Sequence, residues 1–380
     1  MSTHIGLAIS VPRAIIPLSI RKEVQMKRLL CMLLAFLPLF GALGCKQQDK
    51  LQKMEQITSS IVTDFQNYKL HGRTLLKEHG IFCDETTTGI SFHAYLEGSV
   101  KVQLSVNADT YFTVYVDGQR SEERIYANSL TSEIEIASFT EPGKHTIELI
   151  KQSEACKSIC LLKSVSFTGY FMERPADKNY CIAYIGDSIT AGYGVYYDPN
   201  GINEPGSTVC QDGTKTYAYL TAQALDADYI TTCRSGIGIS AGHTGYMMDE
   251  YFGAASFCRA DTTKYEPTRL PDLVVINLGT NDAMGSDDGV AAKLPGLIDL
   301  VRSTYGENVP IIFIHGMMNN ARWAAMDSVI QSKYGGESGG IYDLQTPVFR
   351  EGGNGHPSLD NHCDGAELLT QFIKDKDLLK

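Results

Sequence analysis

Positive charge is scarce in this 380-residue chain: 33 lysines and arginines face 44 acids, and nowhere do the bases gather into a long run. A net charge of −11 repels polyanions, which excludes nucleic acid as a partner and electrostatic docking on acidic membranes. Tryptophan occurs once, as Trp323. No CxxC pair occurs and the histidines are dispersed, so no zinc site and no other metal site is expected. Nothing repeats at 20 to 50 residues, which excludes a solenoid or propeller. The longest apolar run, residues 29–43, is interrupted by Pro38 and falls short of the ~20 residues that span a bilayer. What remains is ordinary globular stock, 43% apolar and 20% charged, with length enough for two domains.

The amino-terminal pattern is that of an address. Residues 1–25 precede a second plausible start, Met26, and are read as a mis-called start. In MKRLLCMLLAFLPLFGALGC, Lys27 and Arg28 lead the apolar run, and Gly44-Cys45 closes it. This resembles a bacterial lipoprotein signal, with Cys45 as the lipidated first residue, although Ala42 stands where leucine is more usual. Plain secretion and a retained anchor remain alternatives. Residues 1–45 are thus expected to be an export segment, and the polar residues 46–70 a tether with one short helix. Eight cysteines follow, from Cys83 to Cys363. Export permits disulfides, but the scattered spacing fits buried free thiols equally well.

From 71 to 174 the pattern has period two. Val100, Val102, Leu104 and Val106 share one face, and Asp117-Gly118 and Pro142-Gly143 mark turns, which predicts a jelly-roll-like β-sandwich. From 175 to 380 short continuous apolar runs (CIAYIG, DYITTC, DLVVINLG, PIIFIHG) alternate with helical segments. This predicts a three-layer α/β domain with a mostly parallel sheet, whose function sits at the carboxyl ends of the strands.

Those strand ends carry the chemistry. CIAYIG runs into Asp187-Ser188, DYITTC into RSGIGIS with Gly236 and Gly238, and DLVVINLG into GTND with Asn281; GNGHPSLDNH later offers His356. A serine hydroxyl becomes a nucleophile when a histidine takes its proton, and backbone N–H groups with an asparagine amide can hold the charge that develops on an attacked carbonyl. Each residue also has a structural reading. Ser188 could cap a helix, the glycines could make a tight loop, Asn281-Asp282 could cap a junction, and His356 could be an exposed loop residue. His362 and His315 read as structural, and Asp282 as support.

GDSITAGYG, GTND and HPSLDNH resemble the blocks of the SGNH (GDSL-type) hydrolases over residues 180–380, in a flavodoxin-like fold. The resemblance implies Ser188 as nucleophile and His356 as base. It implies an oxyanion hole from Ser188, Gly238 and Asn281, with Gly236 as the alternative to Gly238. The family usually has an aspartate three residues before its histidine; here that residue is Gly353. A Ser–His dyad is expected, its imidazole held by a backbone carbonyl or another group. A β-sandwich ahead of such a domain is similar to carbohydrate esterase family 2. HGR at 71–73, TGISFHAYLEGS at 88–99, VYVDG at 114–118 and HTIELIKQSE at 145–154 add to that likeness. It implies an exported, cofactor-free esterase that deacetylates polysaccharides such as xylan or glucomannan, touching the membrane through its lipid alone. The rivals are an SGNH esterase for a lipid, thioester or feruloyl ester, and a non-catalytic glycan-binding protein. Trp323 and Tyr193 are the candidate sugar-contacting aromatics, each of which could equally serve in packing.

Overall fold

The computed structural model describes residues 54–379. The proposed signal, Cys45 and the first part of the expected tether lie outside the described residues.

Ten antiparallel strands form the first sheet. They are β1 (Glu55–Ser60), β2 (Lys69–His71), β3 (Leu75–Lys77), β4 (Gly80–Phe82) and β5 (Gly89–Val106), then β6 (Thr110–Val116), β7 (Gln119–Arg120), β8 (Ile125–Ala127), β9 (Glu133–Lys151) and β10 (Cys160–Phe171). Eighteen residues of straight strand would reach about 60 Å. Strand β5 instead carries register irregularities against β9 near Leu96–Gly98 and Val100–Lys101. The two halves of β5 therefore fold over one core: Ile90, Phe92 and Leu96 from the first half share it with Val100, Val102 and Leu104 from the second.

The expected tether is corrected here. Residues 55–60 form β1, paired antiparallel with β10 from Glu55↔Gly169 to Ser60↔Ser164. EQITSS reads as polar because it is a half-exposed strand, with Ile57 packed toward the core and Ser59 buried on the same face. Lys69–His71 likewise joins the sheet, through β5.

The second sheet is built from β11 (Tyr180–Gly186), β12 (Ala227–Cys233), β15 (Leu273–Asn277), β16 (Ile311–His315) and β17 (Ile341–Gln345). A small ribbon, β13 (Ala254–Ser256) with β14 (Asp261–Lys264), stands apart from it. The five strands are parallel, in the order β12-β11-β15-β16-β17. Alternate side chains feed two different cores, as period two requires of a strand covered on both faces. Cys181, Ala183 and Ile185 of β11 point into one, with Val274, Ile276, Ile311 and Phe313. Ile182 and Tyr184 point into the other, with Leu273, Val275, Ile312 and Ile314.

Helices cover both faces. After the short α1 (Ser188–Ala191) come α2 (Tyr217–Ala224), α3 (Met248–Gly253), α4 (Asp287–Tyr305), α5 (Trp323–Val329) and α6 (Leu359–Asp375). Helix α4 places Val290, Leu294, Leu297 and Val301 in the first core. Helices α2 and α6 supply Tyr217, Ala218, Leu369 and Ile373 to the second. The strand order reverses around β11, and the carboxyl end of such a switch point is where a parallel sheet opens a crevice. All eight cysteines of residues 54–379 are free thiols, and Cys83, Cys160, Cys181, Cys210 and Cys233 are buried.

Candidate active site

Strand β11 ends at Gly186, where a side chain would have no room: a Cβ would lie 2.0 Å from Thr190 Oγ1. The chain turns there directly into α1. Asp187, not Ser188, is the cap of that helix, its carboxylate accepting from Ile189 N at 2.9 Å. This leaves the Ser188 hydroxyl free for another partner, and it lies 2.8 Å from His356 Nε2. The helix stops after one turn at Gly192, which is left-handed with φ 76°. Tyr193 then stacks on the His356 ring with centroids 4.3 Å apart, and its hydroxyl accepts from Asn354 Nδ2 at 2.9 Å.

The other face of the base answers what replaces the missing acid. His356 Nδ1 lies 3.1 Å from the carbonyl oxygen of Gly353. A carbonyl can only accept, so Nδ1 must carry the proton and Nε2 presents its lone pair to Ser188. The same oxygen accepts from His356 N at 3.1 Å, closing a tight turn through the left-handed Asn354 and Gly355, φ 54° and 69°. Burial pushes the His356 pKa below the ordinary histidine value, against opposing bonds from Gly353 and Asn354 and the negative charge of Glu154.

His362 does not compete. It is fully buried, accepts from Tyr217 N through Nδ1 at 3.2 Å, and burial lowers its pKa to about 3. These facts give a pH expectation. A lowered His356 pKa keeps the imidazole neutral, and so able to accept a proton, to below the usual ~6.5. In a kcat/KM profile the acid limb should have its midpoint under 6.5, and a midpoint above that value would contradict the assigned environment. Burial raises the nearby Asp187 carboxyl to about 7, so its titration falls above the limb assigned to His356.

The loop after β12 lies beside Ser188 by register. Gly186 is paired with Cys233, and Arg234 N donates to Gly186 O at 3.2 Å, so Ser188 and Ser235 stand level. Gly236 is partly exposed with φ 82°, and its carbonyl accepts from His243 N at 2.7 Å. Gly238 is buried: a Cβ there would meet Ala241 O at 1.8 Å and Asp282 Oδ2 at 2.7 Å. Asn281 donates its side-chain amide to Ile237 O at 2.8 Å and to Asp187 Oδ2 at 3.2 Å. Its neighbour Asp282 is a structural support. The carboxylate accepts from Ile239 N, Ser240 N and Ala241 N at 2.7–3.0 Å, closing the loop beyond Gly238.

Trp323 begins α5 and stacks face to face on His315, 3.9 Å between centroids, so one face of the indole is already covered. One residue that sequence reasoning missed is Glu154, from the segment after β9. It is fully buried and accepts from Ser235 N and Ser235 Oγ at 2.6 and 2.5 Å. It stands 81 positions from Ser235 in sequence, and although it closes the HTIELIKQSE stretch, nothing there marks it as part of the site.

Comparison with known proteins finds matches to both parts of the chain. Residues 184–360 match the GDSL-like Lipase/Acylhydrolase family, and residues 71–175 match the Carbohydrate esterase 2 N-terminal family. An acetylxylan esterase / glucomannan deacetylase of Cellvibrio japonicus is 25% identical over 361 residues, 90% of this chain and 98% of the relative. The cellulase/esterase CelE of Acetivibrio thermocellus is 27% identical over 72% of this chain, which spans only 35% of that relative's length. Among solved structures, a family two carbohydrate esterase from Clostridium thermocellum in complex with cellohexaose superposes with a TM-score of 0.73 at 25% identity, covering 81% of this chain and 98% of that one. A family two carbohydrate esterase from Cellvibrio japonicus shares the fold with a TM-score of 0.76 at 19% identity, covering 86% of this chain and all of that one. This chain thus joins a carbohydrate esterase 2 N-terminal domain, residues 71–175, to a GDSL-like lipase/acylhydrolase domain, residues 184–360.

Proposed function

We propose that the protein is a serine esterase that removes O-acetyl groups from polysaccharides such as acetylated xylan or glucomannan. The contact that carries this reading is the 2.8 Å approach of His356 Nε2 to Ser188 Oγ, with Nδ1 held by the Gly353 carbonyl. His356 accepts the Ser188 proton as the oxygen attacks the acetyl carbonyl. The imidazolium then returns that proton to the sugar oxygen as the alcohol leaves. Water, activated by the same imidazole, hydrolyses the acetyl-serine and releases acetate.

The tetrahedral oxyanion is assigned to the N–H groups of Ser188 and Gly236 and to the Asn281 amide. Gly236 is preferred to Gly238 because it directly follows Ser235, which stands level with Ser188, and is partly exposed, whereas Gly238 is buried and walled in by Ala241 and Asp282. The longer of the two Asn281 bonds, to Asp187, is the one that can yield its hydrogen. Tyr193 borders the acyl site beside the base. The relatives' names support the polysaccharide substrate, since the Cellvibrio protein is an acetylxylan esterase / glucomannan deacetylase. Export with lipidation at Cys45 completes the reading on sequence grounds alone.

The test is acetate release from acetylated xylan and glucomannan, alongside p-nitrophenyl esters of increasing chain length. Turnover on acetyl esters should exceed that on octanoyl esters by at least about tenfold. Octanoate preference would replace the sugar substrate by a lipid, and glycan binding without acetate release would make the protein a binding module.

A further inference from the structure

Glu154 belongs to the β-rich domain, yet it sits against the loop assigned to the oxyanion. Its two carboxylate oxygens accept from Ser235 N and Ser235 Oγ at 2.6 and 2.5 Å. Gln211 holds it from the far side: its amide nitrogen donates to Glu154 Oε1 at 3.0 Å, and its amide oxygen accepts from Glu154 N at 3.1 Å. The Arg234 guanidinium lies 3.7 Å from Glu154 Oε2 and donates to Ser235 O at 2.8 Å and to Tyr246 OH. Ser235 is thereby gripped at its amide, its hydroxyl and its carbonyl.

That last grip has a direct geometric consequence. Ser235 C=O and Gly236 N–H belong to one planar trans peptide and point in opposite directions. Anchoring the carbonyl to Arg234 therefore aims the Gly236 N–H the other way, and Glu154 anchors both Arg234 and the residue that carries the carbonyl. On the far side, His243 N fixes Gly236 O at 2.7 Å. A donor preset in this manner needs no reorganisation when charge develops on the substrate oxygen.

We propose that Glu154, acting with Arg234, is a positioning residue for catalysis: it is lent by the β-rich domain to orient the Ser235–Gly236 peptide toward the oxyanion. This rests on the esterase reading above. A fully buried carboxylate costs stability unless it is well bonded, and here burial would raise its pKa, but the Ser235 and Gln211 bonds and the Arg234 charge hold it below the ordinary value. It therefore stays ionised, and its charge also faces His356.

Glu154→Gln keeps the shape and removes the charge and one acceptor. Expected is a 10- to 100-fold loss of kcat on p-nitrophenyl acetate with KM changed less than about threefold, since the bond matters only when the oxyanion forms. The acid limb of kcat/KM should also move to lower pH, because His356 loses a facing negative charge and Asp187, which the same charge helps to raise, shifts in the same direction, while His362 does not face Glu154. A purely structural role would lower the melting temperature and leave that limb in place. If Glu154→Gln does not fold cooperatively, Arg234→Gln, at a half-exposed side chain, must show the same kcat loss. A folded variant with kcat within threefold of the parent overturns the proposal. Ser188→Ala, assayed in parallel, separates the two readings: residual activity there sinks the esterase assignment, whereas full loss there beside an unaffected Glu154→Gln sinks only the positioning role.

Discussion

Ser188→Ala and His356→Ala should each reduce acetyl ester hydrolysis by on the order of 10⁴- to 10⁶-fold, and the double variant should lose no more than either single one. The two side chains work as one unit, because the hydroxyl at 2.8 Å attacks only as its proton passes to Nε2. What survives would be the contribution of the oxyanion donors and binding alone. The second histidine of the same motif cannot stand in for His356. His362 is fully buried, its Nδ1 is committed to the Tyr217 amide, and at a pKa of about 3 it is a weak acceptor. Single-turnover and steady-state kinetics with p-nitrophenyl acetate measure the effect. A loss below about 100-fold in His356→Ala, with Ser188→Ala silent, would move the role of base to another group.

The second large effect is one that sequence logic alone gets backwards. Placing an aspartate at position 353 restores the usual family pattern on paper, and would be expected to strengthen the base by stabilising its imidazolium. The structure leaves no room for it. A Cβ on Gly353 would lie 2.7 Å from Pro205 Cβ and 2.9 Å from Tyr197 Cβ, inside a packed turn. The turn that carries His356 depends on the Gly353 carbonyl, which accepts from both the His356 amide and the ring. Gly353→Asp should therefore cost about 1–3 kcal/mol of stability through overpacking. It should also lower kcat by at least about tenfold by displacing the carbonyl from Nδ1. Melting temperature and acetate release read both effects. A more active variant of unchanged stability would show that the dyad lacks only a charge.

What the sequence disclosed follows from how local each signal is. Ser188 and Asn281 each sit in a short motif at a strand end, where parallel pairing brings them together, and His356 sits in a short motif just ahead of α6. The two cores were legible for the same reason, since β11, β15 and β16 are continuous apolar runs. The choice between Gly236 and Gly238 was not legible. Both lie in one loop, and the preference proposed for Gly236 rests on the Cys233–Gly186 register and on the packing of Gly238 against Ala241 and Asp282. The strand at 55–60 was hidden because its partner lies more than 100 positions away and its exposed residues are polar. Glu154 was hidden likewise, as an ordinary acid after a strand whose partners belong to the other domain. The turn that replaces the triad acid could be anticipated as a backbone carbonyl, but Gly353 itself could be found only from coordinates.

The junction between the two sheets is crossed by buried or half-buried ions. Lys69 meets Asp228 at 2.6 Å, Arg120 meets Asp212 at 2.8 Å, and the buried Glu85 accepts from Tyr251 OH at 2.6 Å. Arg73, nearly fully buried, donates to Thr232 Oγ1 and to the carbonyls of Phe252 and Ala254. Parting the sheets would strand each of these groups without its counterpart, a penalty of several kcal/mol for a buried pair. An oily seam can open and reseal by degrees, but a seam of matched charges is all or nothing. The two lobes are therefore coupled into one cooperative unit. The hydrolase lobe is not a module that evolution or an engineer can lift out intact, because part of its wiring is rooted in its neighbour.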